Sequence, residues 1–159
     1  MTEARIEWAS GPGDLDGVQE IDRTSFSSPW TREMYEQELA HRGQAFIAVL
    51  RANGTPVAAY CSYRIVLDEL QVNNVAVRPE YRRKGCATAL VEFVLGHGRA
   101  AGASTAMLEV RRSNDGARRL YEGLGFTQAG ERRRYYSNPE EDALVLARPL
   151  RDLEADPVA

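Results

Sequence analysis

Between Val77 and Leu90 the chain places three consecutive cations, Arg82, Arg83 and Lys84, directly ahead of Gly85 and then enters Cys86-Ala87-Thr88-Ala89-Leu90. This order suits an anion grip. The preceding run, Asn73 to Val77, ends in β-branched and apolar residues as a strand requires, and Pro79 closes it because proline lacks the N–H of a central ladder. Beyond Gly85, the residues Ala87, Leu90, Val91, Val94 and Leu95 recur at helical spacing, so a helix follows. The first N–H groups of a helix have no intrahelical acceptor and lie at the positive end of its dipole. A phosphate seated there is held by amides, dipole and side-chain cations together. Gly85 has no Cβ to keep such a ligand off the backbone. A diphosphate would fit, yet neither the P-loop pattern G-x-x-x-x-G-K-S/T nor the dinucleotide turn G-x-G-x-x-G occurs. The composition of the loop alone equally allows a solvated surface turn.

The surrounding elements must position this loop. Ile6 and Trp8 alternate in a first strand, and Leu15, Val18 and Ile21 predict a helix from about Asp14 to Ser25. Thr31 is placed to cap a second helix carrying Tyr35 and Leu39 on one face. The connector between these helices holds Phe26 and Trp30, which would either staple onto the core or wall a binding site. Two apolar runs, Ala45–Leu50 and Val57–Val66, flank Asn53-Gly54, a hairpin signal. In the next strand Leu70 and Val72 are even but Val75 and Val77 are odd, so the alternation slips at Asn73-Asn74 and a β-bulge is expected there. Backbone groups freed at such a bend could bind an amide-bearing ligand as an added strand would. Thr105–Val110 reads as a short buried strand with Glu109 opposite Leu108, and Asn114 as the N-cap of a helix bearing Ala117, Leu120, Tyr121 and Leu124. Phe126 starts a further strand, and Arg132–Tyr136 with Ala143–Ala147 predict a closing hairpin across Asn138–Asp142.

The chain has 159 residues, 43% of them hydrophobic, which predicts one globular domain over residues 1–150 and a loose polar tail over 151–159. A net charge of −3 argues against a direct nucleic-acid partner, although the loop remains locally basic. Cys61 and Cys86 form no C-x-x-C, and His41 and His97 have no ligand-like spacing, so no metal is expected. A reducing cytoplasm fits these free thiols. No apolar run is long enough to span a bilayer, and the residues from Met1 to Arg5 do not resemble a signal peptide, so no membrane partner is expected.

Arg82-x-x-Gly85-x-Ala87 after an apolar strand resembles the acetyl-CoA signature R/Q-x-x-G-x-G/A of the GNAT acetyltransferase superfamily. Pro29-Trp30, Leu67-Asp68-Glu69, Asn74–Val77, Leu108–Arg111, Ser113-Asn114, Leu120–Phe126 and Arg133–Tyr136 extend the likeness from about Ile6 to Leu150. They are similar to its bacterial RimI group, which acetylates the N-terminal alanine of a small-subunit ribosomal protein. Ala87 stands where many members have glycine. The resemblance implies an α/β GNAT fold: a mixed, twisted sheet of six or seven strands with a central splay, flanked by about four helices.

The resemblance also implies roles. Acetyl-CoA is the cosubstrate, its pantetheine arm on the backbone of Val75, Ala76 and Val77, and its diphosphate on Arg82, Arg83, Lys84, Gly85, Cys86, Ala87 and Thr88. Asn114 and Tyr121 complete the cofactor contacts. Glu109 matches the general base, directly or through a water, and Tyr121 the general acid that protonates the leaving thiolate. An acyl-cysteine route through Cys86 is conceivable but would put the nucleophile at the phosphates. For the acceptor, Trp30, Glu69, Tyr135, Tyr136 and Glu141 would attract and enclose a basic N-terminus, to which a monomeric enzyme would transfer acetyl by direct attack. Alternatives are transfer to a lysine or a small amine, or a non-catalytic acyl-CoA-binding module.

Overall fold

The computed structural model describes residues 4–151. Apart from Arg151, the tail expected over 151–159 lies outside the described residues. In chain order the elements are β1 (Ala4–Trp8), α1 (Pro12–Ser25), α2 (Arg32–Leu39), β2 (Ala45–Ala52), β3 (Thr55–Val66), β4 (Glu69–Val77), a 3-10 turn (Pro79–Tyr81), α3 (Cys86–Ala100), β5 (Thr105–Arg111), α4 (Asp115–Gly123), β6 (Thr127–Tyr136) and β7 (Glu141–Pro149). The strands form one mixed seven-stranded sheet in the order β1-β2-β3-β4-β5-β7-β6, so with four helices the expected α/β architecture is observed. None of the helices among the described residues is long and apolar enough to cross a membrane. Contacts divide the chain into two units, one formed by the chain up to Arg64 with Asn73–Val94, the other by Ile65–Val72 with the chain from Leu95 onward.

In the first unit, local chemistry sets the element ends. Pro12 opens α1, where its missing N–H costs nothing, and the Thr31 hydroxyl caps α2 by accepting from the Met34 N–H at 3.2 Å. Asn53 and Gly54, with φ of 48° and 81°, turn β2 into β3 as the dipeptide predicts. Leu15, Val18 and Ile21 of α1, Tyr35 of α2, Ile47 and Val49 of β2, Val57 and Tyr60 of β3 and Ala76 of β4 form the core. Gly17 is required there, because a Cβ at that position would lie 2.7 Å from a Val57 methyl. Gly17→Val is therefore expected to destabilise the fold by about 1–3 kcal/mol through overpacking, more than the few tenths gained in helix propensity. A fall in the melting temperature checks it; an unchanged Tm would show that α1 and β3 move apart freely.

In the second unit, β4 pairs in parallel with β5 from Glu69↔Thr105 to Val72↔Leu108, and β7 pairs antiparallel with β5. Gly98 admits Leu70 and Leu150 against α3: their methyls would lie 3.3 and 3.2 Å from an added Cβ. The stretch from Phe126 and the run Arg132–Tyr136 are one continuous strand, β6, and β7 begins already at Glu141 inside the expected acidic loop. The sequence conceals β6 because it is an edge strand and nearly all of it is exposed, so its side chains do not alternate.

Trp8 pairs with Ala48 and its ring meets Phe93 of α3 at 5.6 Å, whereas Ile47 and Val49, on the opposite face of β2, pack with α1. Leu70 lies against α3, yet Ala76, six residues on, joins the α1 cluster. Leu70, Val72 and Ala76 are the buried residues of β4.

Candidate active site

The basic loop is built entirely from the first unit. Arg78 fastens its start: the backbone N–H donates to Ala58 O at 2.9 Å, Nε to Val57 O at 2.5 Å, and Nη2 pairs with Glu20 at 2.9 Å. Tyr81 fastens its middle, its hydroxyl sharing a hydrogen bond with Thr55 Oγ1 at 2.9 Å. Arg82 folds back so that Nε donates to Val77 O at 3.1 Å, and Lys84 sits 5.8 Å from the Tyr81 ring centroid. Arg83 and Gly85 adopt φ of 61° and 79°, coiling the loop tightly before α3 begins. The first backbone bond of α3 runs from the Ala89 N–H to Gly85 O at 3.0 Å, so by helix geometry the amides of Cys86, Ala87 and Thr88 have no acceptor one turn back. All four residues Arg82–Gly85 are exposed, and nothing lies within 4 Å of a Cβ placed on Gly85. Exposed cations, open backbone and a helix start coincide, as the anion grip requires. Val75 and Val77 are half-buried and Ala76 buried at the end of β4 leading into this loop.

Cys86 opens α3 with its side chain turned into the core. Its side chain is 2% exposed, and burial raises its thiol pKa despite the charge of Lys84. A buried, protonated thiol is a poor nucleophile, which removes the acyl-cysteine route. Trp30 packs on the core cluster with its ring 5.2 Å from that of Tyr35 and stays half-buried.

The second unit carries the candidate proton-transfer groups. Glu109 stands in β5 opposite Val145 of β7, its side chain 29% exposed. Arg132 of β6 reaches it, Nε to Oε1 at 3.1 Å. The neighbouring Glu109 carboxylate raises the Tyr135 pKa, and burial adds to it. Tyr136 is pushed up to about 12, chiefly by burial and then by the charge of Glu109. Its ring lies 5.0 Å from that of Tyr135 and 4.5 Å beneath the Arg111 guanidinium. The strand makes this possible by an irregularity: Arg132 pairs with Ala143 but Tyr136 with Glu141, and Arg134 takes φ of 51° in between.

The remaining predicted residues separate by role. Tyr121 is buried in α4, its ring 5.6 Å from Phe126. Asn114 caps α4, Oδ1 accepting from the Ala117 N–H at 3.1 Å, which leaves its amide nitrogen as the group to offer a ligand. Glu141 is held by Arg111 Nη1 at 3.3 Å and by the Ser113 N–H at 2.6 Å, contacts that depress its pKa. Glu69 accepts from Gln71 at 2.8 Å and pairs with Thr105, four residues before Glu109. That offset is about 13 Å along the strand, so Glu69 is not brought to Glu109. Arg132 was not distinguishable in the sequence from its neighbours Arg133 and Arg134, because only the strand irregularity selects it.

Taken separately, one unit presents exposed cations and open backbone at a helix start, and the other a carboxylate with two phenols nearby, groups competent to accept and to return a proton. The chain is 34% identical over 139 residues to ribosomal protein bS18-alanine N-acetyltransferase of Escherichia coli (strain K12), covering 86% of this chain and 92% of that one. The crystal structure of the ribosomal-protein-S18-alanine N-acetyltransferase from Escherichia coli superposes with a TM-score of 0.85 at 32% identity, over 97% of this chain and 98% of that one. The NatC complex bound to Gag peptide and CoA contains a chain similar to this one with a TM-score of 0.83 at 26% identity, over 94% of this chain and 99% of that one. Residues 15–126 match the family described as Acetyltransferase (GNAT) family, and the chain belongs to that family.

Proposed function

We propose that this protein transfers acetyl from acetyl-CoA to the α-amino group of the N-terminal alanine of a small-subunit ribosomal protein, by direct attack in a ternary complex. The observation carrying this reading is likeness over most of the chain to a relative named for that reaction. In the proposed complex the amides from Arg83 to Thr88 hold the diphosphate, the backbone of Val75–Val77 holds the pantetheine arm, and Asn114 adds a donor. Glu109 takes the proton of the α-ammonium and Tyr121 returns one to the departing sulfur. The acceptor meets Trp30, Tyr135 and Tyr136, with Glu69 and Glu141 adding negative charge. Arg132 occupies the carboxylate of Glu109 before the acceptor arrives, and an exposed ion pair of this kind, worth at most about 1 kcal/mol, yields easily to an incoming ammonium. A ribosomal acceptor places the reaction in the cytoplasm.

The chemistry favours an α-amine. Neutralising a group of pKa near 7.7–8.0 at pH 7 costs roughly 1 kcal/mol, whereas a lysine near 10.4 costs roughly 4.6 kcal/mol, and one carboxylate suffices for the first. Mass spectrometry should therefore find acetyl on the α-amine of an Ala-first bS18 peptide and little on the lysines of the same peptide blocked at its N-terminus. Equal modification of both would replace this reading by a lysine acetyltransferase.

A further inference from the structure

Asp22 lies outside the machinery described above and is the most deeply buried carboxyl group among the described residues. It is 1% exposed on α1, within the cluster of Leu15, Val18, Ile21, Ile47, Val49, Val57 and Ala76. The hydroxyls of Tyr35 on α2 and Tyr60 on β3 both donate to its carboxyl oxygens, and the two hydroxyls are themselves 3.3 Å apart. Both tyrosines are buried as well. A carboxyl group in such surroundings is costly, and an apolar trio of equal volume would commonly be as stable or more so. What the polar trio adds is a single fixed geometry.

That geometry belongs to the connector between α1 and α2. α1 ends three residues after Asp22, whose own carbonyl accepts from the Phe26 N–H at 3.0 Å. Across the connector, Tyr35 receives the ring of Trp30 on its own ring. On the opposite side, Tyr60 shares the cluster with Ala76 of β4. Asp22 thus joins the root of the connector, the support of Trp30 and the layer beneath Ala76. We propose that Asp22, acting through Tyr35 and Tyr60, is a positioning residue for acceptor recognition, holding Trp30 where the peptide N-terminus is read. The proposal rests on the functional reading above for the role of Trp30.

The test uses Asp22→Asn, which keeps the shape but loses the double acceptor, and Tyr35→Phe, which keeps the ring under Trp30 but loses the hydroxyl. Steady-state kinetics with the Ala-first peptide are measured where circular dichroism shows each variant folded, and 5-fluorotryptophan NMR follows Trp30 with Trp8 as the internal reference. The expected result is a peptide KM raised about tenfold, with kcat and the KM for acetyl-CoA within about twofold, and a displaced Trp30 resonance beside an unmoved Trp8. A lowered melting temperature with peptide KM and Trp30 resonance unchanged would overturn the proposal and leave the trio merely structural. Should the wild-type protein acetylate no Ala-first peptide, the functional reading fails, and a Trp30 signal unmoved in both variants would still refute the positioning role by itself. If Asp22→Asn does not fold, Tyr35→Phe decides by the same two readouts.

Discussion

Replacing Glu109 by glutamine is expected to lower kcat on the Ala-first peptide by about 10²–10⁴ while leaving acetyl-CoA affinity within about twofold. The substitution is conservative where it must be. Glutamine has the same reach, and its Oε1 can still accept from Arg132 Nε, so the pairing of β5 with β7 and the packing of β6 are preserved. The lost property is the capacity to take a proton. A loss of this size corresponds to roughly 2.7–5.5 kcal/mol of transition-state stabilisation, more than any exposed hydrogen bond could supply. Steady-state kinetics together with calorimetric titration of acetyl-CoA separate the two quantities. Turnover within about threefold of wild type would remove Glu109 from proton transfer.

Gly85→Glu is expected to act on the other half of the chemistry, weakening acetyl-CoA binding by about 100-fold. Space is not the issue, since an added Cβ meets nothing within 4 Å. Two other costs arise. A non-glycine residue at φ of 79° is strained by about 1–2 kcal/mol. The new carboxylate also sits beside the first amides of α3, where it would occupy the positive helix start and repel a diphosphate. Calorimetric titration measures the change directly. Gly85→Ala separates the contributions, because it carries the strain without the charge and should lose only part of the affinity. Undiminished binding in Gly85→Glu would place the diphosphate elsewhere.

What could be read from the amino-acid order, and what could not, follows from how far apart the interacting residues lie. The stripe of Leu90, Val91, Val94 and Leu95 is a local pattern, and all four are buried on α3 as expected. Thr31 and Asn114 cap their helices, and Asn53-Gly54 makes its hairpin, because each needs only residues three or fewer positions away. The Asp22 trio was not legible, because its members are separated by as many as 38 residues and carry no periodic mark. The pairing of Arg132 with Glu109 spans 23 residues and depends on a strand irregularity that the sequence hides among three arginines. Likewise, Glu69 and Glu109 look equivalent as acids on adjacent strands, and only the register shows that they stand on different levels. Positive φ at Arg83 gives the anion loop a second left-handed residue where only Gly85 advertised one.

β6 has a consequence of a different kind. At one edge of the sheet it has no strand beyond it among the described residues, leaving a surface on which a stray strand from another molecule could polymerise. Its kink at Arg134 and the like charges of Arg132, Arg133 and Arg134 interrupt that template, so crowded solutions of this protein should stay free of fibrils.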